Sequence, residues 1–280
     1  MGGRGGRDLR PRDQRGDKLT ADAAPEAIKA VPVRRPGRWL AAAIVLAFAA
    51  QLGYSVATNP RFGWGIAGDY LVSRRILDGL LVTLELTALA FAGALLLGTV
   101  FAVFRVSPVP PLRMGGAVYV EVLRNMPLLS LLVLVVFGLP DVGVTFSLFT
   151  SAALCLATYG AAFVCEAVRG GINAVPVGQA EAARALGFTF SQSLRHVILP
   201  PAFRTMVQPL VNIFIGIALG SSLAAAVGVS ELTNRTQVLN LQSAQAVVLF
   251  LVSGAMYLAI ALLGATAGGA LERRLTRRTR

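Results

Sequence analysis

The sequence predicts an all-α integral membrane protein of about six transmembrane helices, with N- and C-termini cytoplasmic. Three observations carry that expectation. Apolar residues fill 55% of 280 positions, charged residues only 14%, and the mean hydropathy is +0.66, which lies outside the soluble globular range. Apolar runs long enough to cross a bilayer recur along the chain. Lysine and arginine also alternate by connection: ten lie in residues 1–38, Arg105, Arg113 and Arg124 flank the next inner loop, four fall between Arg169 and Arg204, and five close the chain. These 22 stand against Arg61, Arg74, Arg75 and Arg235 on the other side, the positive-inside bias of a membrane protein.

Residues 1–38 mix Gly, Arg, Asp and Pro without apolar periodicity and read as a disordered basic cytoplasmic tail. Residues 39–56 form the first transmembrane helix, with Gln51 its one strongly polar side chain. Ser55-Val56-Ala57 has the small-x-small form of a cleavage site, which leaves retention of this span open, although a 38-residue polar leader is long for a signal peptide. Phe62, Trp64 and Tyr70 then suit a membrane interface. Residues 77–104 make a second span, long enough to tilt, that carries Glu85. Pro108, Pro110 and Pro111 predict a stiff loop over 105–116. A third span over 118–139 is expected to kink at Pro127. The fourth covers 144–168, the fifth 203–227 with Gly216-x-x-x-Gly220 inside it, and the sixth 246–271, before a basic tail at 272–280.

The net charge of +12 could suggest nucleic acid, but fifteen of the 26 basic residues sit in the two tails beside apolar spans. Membrane topology accounts for them, and no nucleic-acid partner is expected. Cys155 and Cys165 stand ten residues apart in one apolar segment, about 15 Å along a helix and too far for a disulfide. His196 is the single histidine, with no cysteine pair beside it, so no metal site is expected. No lysine follows Lys29 and no G-x-x-x-x-G-K-[ST] occurs; the chain therefore lacks the phosphate-cradling loop of an ATPase. Neither H-E-x-x-H nor G-x-S-x-G is present, so no catalytic residue is assigned.

The longest polar stretch between spans is residues 181–200, EAARALGFTFSQSLRHVILP. Pro176 suits a first helical turn, and Gly187 is placed to end that helix in the left-handed conformation glycine adopts cheaply. A second short helix over 191–197 should follow, stopped by Pro200 and Pro201. Ala182, Ala183 and Ala185 leave the first helix little bulk, with Glu181 and Arg184 at its edge. Such a unit suits a docking knob, or an ordinary interfacial helix between spans.

Glu181-Ala182-Ala183, Gly187, Val197 and Leu199-Pro200 at this spacing resemble the EAA loop of bacterial ABC-type import permeases. Four other stretches are similar to the polar amino-acid branch of that family: GLLVTLEL at 79–86, YVEVLRNMPLL at 119–129, YGAAFVCEAVRGG at 159–171, and the Ser222-Leu223, Gly228-Val229 and Glu231-Leu232 pairs. The likeness covers about residues 70–270. It departs where many members carry Lys then Asp or Asn before Ser-Leu; Leu219 and Gly220 stand there instead.

The resemblance implies a type I importer permease domain over 70–271 with its coupling loop at 176–201, in a bacterial plasma membrane. It also implies separate ABC ATPase subunits that bind ATP and Mg, a second permease subunit, identical or related, and an extracytoplasmic amino-acid-binding protein. Coupling then falls to Glu181, Ala182, Ala183, Arg184, Gly187, Leu199 and Pro200, and the substrate would be a polar amino acid such as glutamate.

Polar groups inside spans are costly and call for a partner or water. Glu85, Asn212, Ser221 and Ser222 are candidates for a substrate path, with packing or interhelical hydrogen bonding the competing role. Glu121 with Arg124, Glu166 with Arg169, and Glu181 with Arg184 share the i, i+3 spacing of local ion pairs. A self-sufficient secondary transporter or channel using Glu85 is the other functional class, and inverted internal repeats would favour it.

Overall fold

The computed structural model of the chain describes residues 36–277; the disorder expected over residues 1–38 falls outside them except at 36–38, which are helical. Among the described residues every regular element is helical. Two units divide the chain, one ending at Thr58 and one running from Asn59. The first contains α1 (Pro36–Thr58), a 23-residue apolar helix of spanning length.

The second unit opens with short 3₁₀ turns and α2 (Ala67–Leu71), then α3 (Arg74–Val106). Only 107–109 separate α3 from α4 (Pro110–Asn125). The expected loop over 105–116 is thus shorter: Pro110 and Pro111 open a helix, where a missing amide costs nothing. The expected kinked third span is instead broken, because α4 and the helical run from Leu128 to Asp141 meet at 107°. Met126 and Pro127 are extended there, and Pro127 caps the next helix, α5 (Leu128–Val133). A π turn over Leu134–Gly138 leads to α6 (Leu139–Asp141). After a loop come α7 (Leu148–Asn173), α8 (Val177–Ala185), α9 (Phe190–Ser193) and α10 (Leu199–Gly220). A 3₁₀ turn over Ser221–Val227 precedes α11 (Leu232–Ser243) and α12 (Ala246–Arg277). Five helices are long and apolar enough to cross a membrane, and the bent pair makes six if it counts as one span.

The core forms around α7. Along α3, Ala90, Ala94, Gly98 and Ala102 recur every fourth residue and are buried, a small-residue stripe that lets a second helix approach closely. A Cβ on Gly98 would lie 2.6 Å from the Val164 Cβ of α7. On the other flank of α7, a Cβ on Gly160 would lie 2.8 Å from Ile217 of α10. Phe101 of α3 and Tyr119 of α4 stack at 3.7 Å, and the Tyr119 hydroxyl donates to the Thr158 carbonyl of α7 at 2.6 Å.

The small-residue contact between α10 and α12 is not made by the Gly216-x-x-x-Gly220 pair. Gly216 faces open space and only Gly220 meets a neighbour, Leu128. Gly264 and Gly268 of α12 supply that contact instead, the first against Phe214 and the second against Val211. Substituting Gly268→Ala should therefore destabilise the fold by about 1–3 kcal/mol through overpacking, with partial rescue by Val211→Ala. Gly254→Ala, which meets nothing within 4 Å, should not lower the melting temperature in detergent.

Candidate coupling site

The polar stretch after α7 folds as an exposed elbow. Pro176 is the N-cap of α8, just ahead of the helix, with an extended ψ of 132°. At the other end Gly187 has φ of +82°, its amide donates to the Arg184 carbonyl at 2.9 Å, and the Phe188 amide donates to the Ala183 carbonyl at 3.1 Å. These two bonds satisfy carbonyls that the end of a helix leaves open, a Schellman closure that needs a left-handed residue. The next helix begins at Phe190 through a reciprocal cap: Thr189 accepts from the Gln192 amide, and the Gln192 side chain accepts from the Thr189 amide.

Pro200 and Pro201 do not stop this second helix. It widens into a π turn over Leu194–Ile198 and continues as α10. Each proline removes an amide that a carbonyl four residues earlier would use, and the wider turn shifts the bonding register just before them. Pro140 follows the other π turn in the same way.

Of the alanines expected to form the knob's outer face, Ala182 and Ala185 are exposed but Ala183 is buried. Glu181 and Arg184 are exposed and form no ion pair with each other; Leu199 and Pro200 are exposed at the foot of α10. The sequence reading missed the apolar share of the surface: Leu186 is 79% exposed, Phe190 and Val177 are each 72% exposed, and Phe188 is also exposed. Directly above the elbow Glu166 binds two cations, Arg169 at 3.0 Å and Arg105 of α3. The expected Glu121–Arg124 pair is not made: the Arg124 guanidinium lies 5.7 Å from the Phe163 ring centroid, and Glu121 accepts from the Asn125 side chain.

The intramembrane candidates separate. Asn212 lines a cavity of about 550 Å³ with Leu128, Tyr159, Phe163, Gly216 and Leu223. Ser221 is buried, and its hydroxyl donates to the Ala218 carbonyl at 2.7 Å; Ser222 donates likewise to Leu219. Glu85 lies exposed on α3, away from that cavity's lining. Among the described residues no group of acidic, histidine or cysteine side chains could hold a metal.

Residues 94–277 match the family model for the binding-protein-dependent transport system inner membrane component. The chain belongs to that family. It is 34% identical over 252 residues to the arginine transport system permease protein ArgU of Corynebacterium glutamicum, covering 85% of this chain and 80% of the relative. It is 38% identical over 168 residues to the glutamate transport system permease protein GluC of Corynebacterium efficiens, covering 56% and 74%. Among solved structures, a chain of an amino acid ABC transporter crystallised with histidines superposes with a TM-score of 0.69 at 32% identity, covering 71% of this chain and 94% of that one. The chain is thus an inner-membrane permease with several spans.

At the end of the permease opposite the elbow, a buried polar cluster went unread in the sequence. Glu231 is 0% exposed and caps α11, accepting from the Asn234 amide at 2.8 Å. It also accepts from the Tyr257 hydroxyl of α12 and from Thr83 of α3. Thr83 in turn accepts from the Leu232 amide at 3.1 Å. One carboxylate thereby fastens three helices, a network whose buried members must all be satisfied. The Glu231-Leu232 pair entered only as part of the family likeness; its role was not legible because its partner Thr83 lies 148 residues away.

Burial raises the Glu231 carboxyl above its ordinary value of 4.5, against the pull of the hydrogen bonds it accepts. A raised folded value places the group's stabilising contribution at low pH, present in full below about 4.5 and lost as pH rises through the folded value. Melting temperatures measured in detergent should therefore shift in favour of Glu231→Gln over the native chain as pH rises from 4.5. A difference between the two that does not vary with pH would contradict this.

Proposed function

We propose that this permease carries a polar amino acid, glutamate or a close relative, inward as one part of an ABC importer, and that residues 176–201 couple it to the ATPase. The observation that carries the reading is the elbow itself. A short helix closed by a positive-φ glycine projects Leu186 and Phe190 beside the small Ala182 and Ala185 surface, with Glu181 and Arg184 at the rim. An apolar centre with a charged rim is the make-up of a protein docking surface. Two relatives are named for arginine and glutamate transport, which supports an amino-acid substrate.

In this reading Glu181, Ala182, Arg184 and Gly187 meet or shape the contact with the ATPase, Ala183 anchors α8 from beneath, and Leu199 and Pro200 join the elbow to α10. ATP and Mg are held by the ATPase subunits. The cavity at Asn212 borders the solute path, and an extracytoplasmic binding protein delivers the solute from the far side. Glu85, exposed on a span, is assigned to the side facing water or the second permease, since a lone carboxylate against lipid is costly. Nucleotide can bias the permease only if its two states differ in their contacts with the ATPase. We place the N- and C-termini and the elbow on the cytoplasmic side, the orientation that the positive-inside bias of the arginines supports.

Co-purification with the ATPase and ATP-dependent glutamate uptake in proteoliposomes test the reading together. Glu181→Arg and Gly187→Pro should lower both by at least about tenfold, the effect of losing roughly 1.4 kcal/mol of contact energy, while leaving the permease folded. ATP-independent uptake by vesicles holding this chain alone would overturn it.

A further inference from the structure

A second concavity lies on the other side of the bundle from the Asn212 cavity, between α3, α10 and α12. It is a groove of about 680 Å³ whose walls include Leu80, Phe91, Phe203, Val207, Met256 and Leu271, with no charged residue in the lining. From Met256 to Leu271 it follows α12 for about 22 Å at helical rise, most of a hydrocarbon core about 30 Å thick. Gly264 and Gly268 hold its floor open by letting Phe214 and Val211 come close.

The chemistry changes abruptly at the elbow end of the groove. Gly264 packs against Phe214, and the two helices run antiparallel; ten residues further toward that end on each helix stand Arg274 and Arg204. The register therefore brings the two arginines level. Arg274 also continues the lining stripe of Ala267 and Leu271 at a helical spacing, and Arg204 precedes the lining residue Val207 by three. Arg274 is exposed and Arg204 half-buried. Glu272, two residues before Arg274, points across α12 from this stripe by helical geometry.

We propose that this groove is a binding site for an anionic phospholipid, its acyl chain lying along α12 and its phosphate held between Arg204 and Arg274. An apolar trough of membrane depth capped by two cations matches both halves of such a lipid, and basic pockets between spans are where anionic headgroups bind. A free phosphate would match only the arginines. A second protein chain would meet two cations at the groove's mouth that form no ion pair among the described residues.

The full-length chain, purified in neutral detergent and given equal phosphatidylglycerol and phosphatidylcholine, can be read by native mass spectrometry. Phosphatidylglycerol adducts should exceed phosphatidylcholine adducts by on the order of tenfold, as expected for two arginines near one phosphate. Arg204→Gln with Arg274→Gln should bring the ratio to about one, and Arg113→Gln on α4 should leave it unchanged. Ala267→Phe, which fills the trough, should lower retention of both lipids. Equal retention of the two lipids by the native chain, no effect of the double substitution, or displacement by millimolar inorganic phosphate would each overturn the site. So would a disulfide between two copies carrying Ala267→Cys, which would make a second chain the occupant. The readout involves neither ATPase nor solute, so it stands or falls apart from the transport reading.

Discussion

The helix that leads into the elbow, α7, is held on both flanks. The small-residue stripe of α3 lies against one flank and α10 presses Ile217 and Met206 against the glycines of the other. At the base, Glu166 joins Arg169 of its own helix to Arg105 of α3. These groups are partly exposed, so the pairs add little stability by themselves. Their value is geometric: they fix the end of α7 against α3 where the chain leaves the bundle. A displacement of α8 must then move packed helices as bodies, since close-packed interiors switch between arrangements and do not stretch.

The far end of the bundle is tied by different means. Glu231 joins α3, α11 and α12 through hydrogen bonds from Thr83, the Asn234 amide and Tyr257. Arg75 of α3 reinforces the same junction by donating to Gln242 of α11 at 2.8 Å. The α3, α7 and α12 helices are thus fastened near their ends by polar groups and along their lengths by small-residue packing, while the Asn212 cavity between α7 and α10 stays open.

Much of this was legible in the sequence, for reasons that are local. The left-handed turn at Gly187 follows from a glycine ending a run of helix formers, and the Glu166–Arg169 pair follows from helical spacing. Spans were readable from hydropathy, because a bilayer obliges the backbone to satisfy itself within each segment. Long-range packing was not readable. Gly216-x-x-x-Gly220 and Gly264-x-x-x-Gly268 are indistinguishable as motifs, and only the fold shows that the first faces a cavity and the second faces α10. Glu231 resembles any loop carboxylate until α3 and α12 close over it. Prolines misled in both directions: Pro127 breaks its helix outright, whereas Pro200 and Pro201 sit inside a continuous one because a π turn absorbs them.

We propose that the elbow lies in the cytoplasm, where an ATPase can reach it. Cys155 and Cys165 are buried, so a single Leu186→Cys substitution supplies one exposed thiol at the tip. Treatment with a membrane-impermeant maleimide should label this variant only after the cells are permeabilised. Labelling of intact cells would place the elbow outside and contradict its role in coupling.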